Sequence, residues 1–360
     1  MKYEFWMATL YRLGNEKRRH VSEMTGGAKE FYHLSGRQLI NLCLFTKEEI
    51  SYIEKSREAF DIEGEWKKFL KGDIQFIPWK SDSYPERLLE ISDAPYALFV
   101  KGNLPLEQKR SVAIVGARDC SEYGRSISRM IGKTMAEYDI QVISGMALGI
   151  DSASHAGALE AGGDTFAILG GGCDVCYPRT SINIYNNILS GNGGVLSEFL
   201  PGTQPQPKFF PMRNRIISAL ADILIVVEAR ERSGSLITAD CALDQGKDVY
   251  AVPGRYLDPL SVGCNRLIEQ GAGIFVDMNS FLKNTGIVNT AKKKKNPIGE
   301  ISLSREAACV YNCIDLDVKH LDVITHESGL DLLTVLDALG TLKKYKLVQE
   351  TFQNYFCRKL

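Results

Sequence analysis

Apolar and polar positions alternate along this chain in three different rhythms. In the first 75 residues, short bursts at helical spacing, such as Gln38-Leu39-Ile40-Asn41-Leu42 and Glu48-Glu49-Ile50-Ser51-Tyr52-Ile53, are broken by Thr25-Gly26-Gly27 and Ser35-Gly36. They predict a small all-helical unit over 1–75, either a module touching DNA backbone or a packing and partner-binding cap. Residues 76–110 are extended and punctuated by proline, at Phe76-Ile77-Pro78-Trp79, Tyr84-Pro85 and Ala94-Pro95-Tyr96. We expect a bridge packing on the core, with a short strand at Ala97-Leu98-Phe99-Val100.

From 111 to 277 the rhythm changes. Continuous apolar runs at Ser111–Val115, Gln141–Ser144, Thr165–Leu169, Val195-Leu196, Ile223–Val227, Val249–Ala251 and Ile274–Val276 predict strands. Helical stretches such as Gly124–Glu137 and Ser152–Ala161 separate them. Strands apolar on both faces and spaced by helices predict a parallel sheet covered on both sides. Ligands bind at the carboxyl ends of such strands, and the loops there are rich in Gly, Ser and Arg. Residues 278–300 read as a linker whose Lys292–Lys295 run is a solvated tether or a contact with nucleic acid backbone. In 301–360, helices at Ala307–Ile314, Leu321–Glu327 and Leu332–Lys344 precede strands at Val348–Thr351 and Asn354–Arg358, the order of a winged helix. The third helix begins on an acidic residue, Asp331, which suits a protein contact better than a DNA groove.

Composition narrows the classes. A chain of 360 residues with 44% hydrophobic and 24% charged residues is an ordinary globular protein with room for two or three domains. Its net charge of -1 leaves any polyanion site to a local patch. There is no membrane-length apolar run, and the first residues lack a secretory signal pattern, so a cytoplasmic location is expected. Nine scattered cysteines predict reduced thiols, and Cys173-x-x-Cys176 has no second pair of ligands nearby for zinc.

Candidate chemistry concentrates in Lys208–Ser218, KFFPMRNRIIS. Arg213 and Arg215 flank Asn214, groups suited to phosphate oxygens at a helix start, and Phe209 and Phe210 suit the faces of bases. Taken alone, the stretch reads equally as a surface ion-pair cluster beside a core aromatic pair. Arg232-Ser233-Gly234-Ser235 offers hydroxyls and amides at another helix start, either an anion nest or ordinary capping. Gly116-Ala117-Arg118 follows the first long strand. An arginine where a dinucleotide fold has its second glycine argues against NAD and for an anion held by side-chain charge, or for a pair with a carboxylate. Gly132-Lys133-Thr134 lacks the upstream glycine of a phosphate loop, since Ile127 stands there, and it falls inside a helix. Asp151 and His155 share a helix face, but nothing places a nucleophile against them, and Asp151 is expected as the helix N-cap.

Taken in order, Gly116-x-Arg118 with Tyr123-Gly124, SGMALGIDSASHAGAL, Gly170-Gly171-Gly172 leading to Tyr177-Pro178, Ser197-Glu198, FPMRNRIIS, EARERSGSLITA, AVPG at 251–254 and Gly263-x-Asn265-x-Leu267-Ile268 with Gly271-Ala272 resemble the DNA-processing protein A (DprA, or Smf) family. The match runs from about residue 80 to 277. The flanks are similar to that family's small helical (SAM-like) and winged-helix domains. The resemblance implies an α/β, Rossmann-like core that binds single-stranded DNA as a homodimer and loads the RecA recombinase during natural transformation. It implies no cofactor, no metal and no catalytic residue. Carried over, Gly116, Arg118, Arg213, Asn214 and Arg215 meet phosphates, with Lys208 close to a basic position. Phe210 stands at the aromatic position, and Ser233, Gly234 and Ser235 form the nest. Two other readings stay open. One is a nucleotide hydrolase like the lysine-decarboxylase-like (LOG) group, although RSGSLITAD lacks that group's proline-glycine start and Asp240 is off its glutamate position. The other is a partner-binding scaffold with a silent DNA site.

Overall fold

The computed structural model describes residues 1–287, 303–315, 318–345 and 347–358. The lysine run of the expected 278–300 linker lies outside the described residues, but the start of that linker is corrected: Met278–Asn284 is a helix whose Phe281 and Leu282 are buried in the core. The chain opens with helices α1 (Lys2–Thr9), α2 (Asn15–Thr25), α3 (Ala28–His33), α4 (Gly36–Asn41), α5 (Lys47–Ala59) and α6 (Ile62–Phe69). Two of these starts are set by capping boxes, Ser35 with Gln38 and Thr46 with Glu49, each side chain satisfying the other's exposed amide.

The segment expected as a bridge supplies β1 (Gln75–Pro78) and β2 (Ala97–Gly102), with α7 (Glu86–Leu89) between them. Then come β3 (Ser111–Val115), α8 (Glu122–Glu137), β4 (Gln141–Ser144), α9 (Ile150–Glu160), β5 (Thr165–Ile168), α10 (Ile182–Ser190), β6 (Gly194–Ser197), α11 (Phe209–Ala219), β7 (Ile223–Val226), α12 (Gly234–Asp244), β8 (Asp248–Ala251), α13 (Val262–Glu269), β9 (Gly273–Ile274) and α14 (Met278–Asn284). Among the described residues these strands form one sheet in the order β1-β2-β6-β5-β4-β3-β7-β8-β9. β6 through β9 run parallel, while β1 and β2 join one edge antiparallel. Two stretches of the expected bridge, β1 and β2, thus pair into the sheet as its edge.

Strand alternation sends Ala113 and Val115 into one core, and Val112 and Ile114 into another with Ile127, Ile131 and Met135 of α8. Tight packing of α8 on α9 requires glycine at two places. A Cβ on Gly132 would lie 2.2 Å from the Ser154 carbonyl oxygen, and one on Gly157 would lie 2.0 Å from that of Arg129. Gly132-Lys133-Thr134 therefore serves helix packing. The amino-terminal helices have no separate core. Trp6, Phe31 and Ile53 are buried in one cluster with Phe76, Phe99 and Ala167 of the sheet. The Phe5 ring meets those of Phe76 and Phe99 at centroid distances of 5.5 and 6.0 Å.

A smaller carboxy-terminal unit contains α15 (Arg305–Cys313), β10 (Lys319–His320), α16 (Leu321–Ser328), α17 (Leu332–Lys344), β11 (Val348–Phe352) and β12 (Tyr355–Arg358). Its strands order β10-β12-β11, and its core is built on Val310, Ile324, Val335 and Leu342.

Candidate nucleic-acid interface

The chain enters the parallel sheet at β3, steps outward through β4, β5 and β6, then returns to the other side of β3 for β7. The strand order reverses between β3 and β7, and such a switch point leaves a crevice outside the carboxyl ends of the two strands. A cleft of about 570 Å³ opens there. It is lined by Gly116, Ala117, Arg118 and Asp119 after β3, by Arg230, Arg232 and Ser233 after β7, and by the start of α12. Phe210, Arg213 and Asn214 of α11 and Tyr177 from the loop after β5 complete it.

Gly116 makes the turn out of β3 possible, since a Cβ there would sit 2.7 Å from Ile150 Cγ1 and 2.9 Å from the Glu228 carbonyl oxygen. The turn delivers Arg118 to the surface. Its guanidinium lies 4.8 Å from the centroid of the Phe210 ring, and it makes no ion pair among the described residues. The carboxylate partner open in the sequence reading is absent from it, and the charge is available to an anion.

Arg213 is a different kind of arginine. It is only 4% exposed, and Nη1 donates to the carbonyl oxygens of Gly145 (2.6 Å) and Ile168. Gly145 has no Cβ because one would fall 2.2 Å from that Nη1. Its buried Nε makes no hydrogen bond among the described residues. Burial lowers its pKa to about 10, opposed by Asp151 and reinforced by the like charge of Arg118, so it stays a cation at neutral pH. Asp151 lines the same cleft. Burial raises its pKa, while Arg213, the amides of Ala147 and Gly145, and Arg118 act to lower it. Its expected capping role is corrected: α9 starts at Ile150 after Gly149, and Asp151 Oδ2 instead accepts from the Ala147 amide at 3.3 Å, holding the preceding loop.

Asn214 Nδ2 donates to the Gly234 carbonyl oxygen at 3.1 Å, tying α11 to the opposite wall. There Ser233 caps α12, accepting from the Ser235 amide, and the two hydroxyls lie 2.8 Å apart. Hydroxyls and amides at the first turn of this helix make the wall electropositive.

Arg215 is elsewhere. Residues two apart on an α-helix point to nearly opposite sides, and Arg215 turns away from the cleft. Glu198 accepts from its Nη2 at 2.7 Å and its Nη1 at 3.1 Å, and Asp93 from its Nε at 3.0 Å. The side chain is 12% exposed and that of Glu198 6%. Burial works to lower its pKa, but Glu198 and Asp93 prevail and raise it. Glu198 also accepts from Asn15 Nδ2 at 3.3 Å, so the pair anchors the amino-terminal helices to the sheet. The expectation that both arginines line one groove is corrected on this geometry. Lys208 likewise stands outside the cleft lining, its Nζ 5.2 Å from the ring of Phe209, which is itself buried against Phe199. The two arginines also do not sit at the helix start, because α11 begins at Phe209.

Sequence reasoning missed Tyr177, Arg230 and Asp151 as cleft residues. The signal for Arg230 was its place just beyond the apolar run of β7; it pairs with Asp119 at 3.6 Å. Tyr177 stood in the motif running from Gly170 to Tyr177-Pro178, but its place in the cleft depends on the loop fold, which no local pattern gave. His155 is fully buried and does not line the cleft. The Thr165 hydroxyl donates to the Val142 carbonyl oxygen and so accepts from His155 Nδ1–H at 2.7 Å. Burial, with Arg213 nearby, lowers the His155 pKa to about 3, so it is neutral.

A second anion sits beside the first helix start. Glu228, buried at the end of β7, accepts from the Ser121 amide at 2.9 Å and from the Ser121 hydroxyl. Gly124 makes room for it, since a Cβ there would lie 2.3 Å from the Glu228 carboxyl carbon. Asp240 is exposed on α12 and does not line the cleft. Among the described residues the cysteines are unpaired thiols, and burial pushes the Cys173 pKa up to about 12. Among the same residues no cluster of three or more His, Cys, Asp or Glu could hold a metal, and no helix is long and apolar enough to cross a membrane.

Comparison with known proteins bears on this site. A family model described as DNA recombination-mediator protein A matches residues 75–286. The DNA processing protein DprA of Streptococcus pneumoniae is 49% identical over 193 residues, 53% of this chain and 67% of that one. Protein Smf of Escherichia coli is 41% identical over 208 residues, 58% of this chain and 56% of that one. Among solved structures, DprA of S. pneumoniae is 34% identical with a TM-score of 0.69, covering 81% of this chain and 98% of the other. DNA processing protein A of Helicobacter pylori, described for its single-stranded DNA binding mode, is 25% identical with a TM-score of 0.55, covering 61% of this chain and 97% of that one. With the family model matching more than half of the chain and the whole nine-stranded sheet, the chain belongs to the DNA recombination-mediator protein A (DprA/Smf) family.

Proposed function

We propose that this chain is a single-stranded DNA-binding protein that acts without catalysis, delivering strands to a RecA-type recombinase, and that it works as a homodimer. The observation that carries the reading is the convergence, at the switch-point cleft, of an unpaired surface arginine, Arg118, a buried cationic arginine, Arg213, the start of α12 and a half-buried aromatic wall. Phosphates meet Arg118, Arg213, Asn214 and the Ser233-Gly234-Ser235 turn, and bases face the wall that contains Phe210. Arg215 and Lys208 have no direct part in this arrangement. Phosphate contacts carry no sequence information, so base preference is weak. The named DNA-processing relatives and the single-strand binding described for the H. pylori protein support the assignment. Recombinase loading and dimerisation rest on the family resemblance. We also read the carboxy-terminal unit as a winged helix on its element order, with a protein-contact role, because Asp331 caps α17 and exposed Leu332, Leu333 and Leu336 follow it.

Fluorescence anisotropy of labelled single- and double-stranded oligonucleotides at two salt concentrations tests the reading. Preference for the single strand and weaker binding at higher salt are expected, because neutralised phosphates release counterions. Equal affinity for both forms would overturn it. Light scattering of the same samples reads the dimer, and a pull-down with purified RecA reads the recombinase contact. Release of free base from nucleoside monophosphates would instead establish a hydrolase.

A further inference from the structure

The cleft that gathers Arg118, Arg213 and the start of α12 also contains an acid. Asp151, in the first turn of α9, is one of its lining residues and is only 5% exposed. A buried carboxylate is out of keeping with a site built of cations and amides, because it repels the same phosphates that they attract. Its hydrogen bond from the Ala147 amide does not explain the charge, since a neutral amide oxygen would accept that bond equally well. Burial already favours its protonated form, with Arg213, the amides of Ala147 and Gly145, and Arg118 acting the other way.

The groups around Asp151 leave those two arginines in control of it. Strands β3, β4 and β5, packed beside α9, carry no ionisable side chain. Helix α10 brings Tyr185, which donates to the Cys173 carbonyl oxygen. Helix α8 brings Arg129, held by Glu160 at the other end of α9, and Lys133, whose backbone packs on Gly157. On α9 itself, His155 is buried and neutral. Across the cleft lining stand Tyr177, Arg232 and Arg230, the last paired with Asp119.

We propose that a single strand binds this cleft together with one proton, taken from solvent by the Asp151 carboxylate as a phosphate settles against Arg118 and Arg213. The inference rests on the single-strand reading above and deepens it. An arriving phosphate engages the guanidinium groups that keep Asp151 ionised and adds a like charge beside it, and both changes favour the neutral acid. The neutral acid carries an O–H that can donate to a phosphate oxygen, where the carboxylate could only repel it. Coupling of this kind is reciprocal, so a proton already on Asp151 tightens the strand as much as the strand tightens the proton. Affinity therefore rises as pH falls.

The test is an anisotropy titration of the full chain with labelled oligo-dT, whose base and phosphates do not titrate from about pH 8 to 5.5, at constant ionic strength. The parent is expected to bind more tightly toward low pH, by up to about tenfold per pH unit, the limit for one linked proton. Asp151→Asn keeps an acceptor for the Ala147 amide and is expected to bind at least as tightly as the parent at pH 8, with a flat profile. Heats of binding in imidazole and PIPES buffers at pH 7, which differ in ionisation enthalpy, read the proton taken up by the parent without any variant, and they are expected to differ. A flat parent profile, equal heats in the two buffers, or a pH slope that Asp151→Asn retains overturns the proposal while leaving the single-strand reading in place. Absence of binding by the parent at every pH overturns both.

Discussion

Replacing Arg118 removes a surface guanidinium that makes no ion pair among the described residues, so Arg118→Ala should weaken single-strand binding and lower the magnitude of its salt slope by about one charge, with little change in melting temperature. Replacing Arg215 should do the reverse. Breaking its pair strands a buried Glu198 carboxylate, at a cost of about 3–5 kcal/mol of stability. Urea unfolding reads that loss, while the salt slope of the protein that remains folded is unchanged. His155 adds a pH dependence. Its folded pKa, about 3, lies below the ordinary value of 6.5, so the unfolded chain takes up the proton first. Its contribution is complete above pH about 6.5 and is lost as pH falls toward 3, with a slope of at most about 1.4 kcal/mol per pH unit. Unfolding midpoints of the parent between pH 7.5 and 5 should therefore fall more steeply than those of His155→Gln, to about the extent that this one proton allows.

At the scale of elements, the α8–α9 contact is set by glycine. Gly132→Ala puts a methyl group 2.2 Å from a backbone oxygen that cannot move independently of its helix. A loss of about 1–3 kcal/mol is expected, read as a lower melting temperature. Much of this level was legible beforehand. The runs Ser111–Val115, Gln141–Ser144 and Ile223–Val226 are strands because they are apolar on both faces, and a parallel sheet follows from the helices between them. What the sequence hid depends on partners or on direction. β1 and β2 belong to the sheet only through pairings with each other and with β6, which no local pattern announces. Helix α10, INIYNNILS, has weak helix formers at its polar positions and is held by packing of Tyr185 and Ile188. The RNR run was legible as chemistry but not as geometry. Helical rotation sends its two arginines to different jobs, one to the cleft and one to an anchor for the amino-terminal helices.

For the whole molecule, the cleft residues lie between Val115 and Thr238, within the sheet and its covering helices. A chain ending at residue 287 should bind single-stranded DNA within about threefold of the parent, because phosphate contacts act locally at physiological salt. An anisotropy titration of the shortened chain checks this. The amino-terminal helices are another matter, since their apolar faces are completed by Phe76 and Phe99 of the sheet. Removing them exposes that core, so their deletion is expected to give aggregation rather than a smaller working protein, as size-exclusion chromatography would reveal.

The Glu228–Ser121 contact has a consequence for what the cleft selects. The sheet offers two helix starts near its switch point, those of α8 and α12, and a free pyrophosphate would normally settle on the first. Here a carboxylate from the chain itself occupies that berth, acting as a resident counterion that a soluble dinucleotide would have to evict. Among the described residues the α12 start carries no such tenant, and it lines the same cleft as Arg118. On the proposed function, an incoming polyanion would be steered off the nucleotide-cofactor track and along the adjacent one, where a strand with many phosphates gains from a shallow berth that a single small molecule would not use.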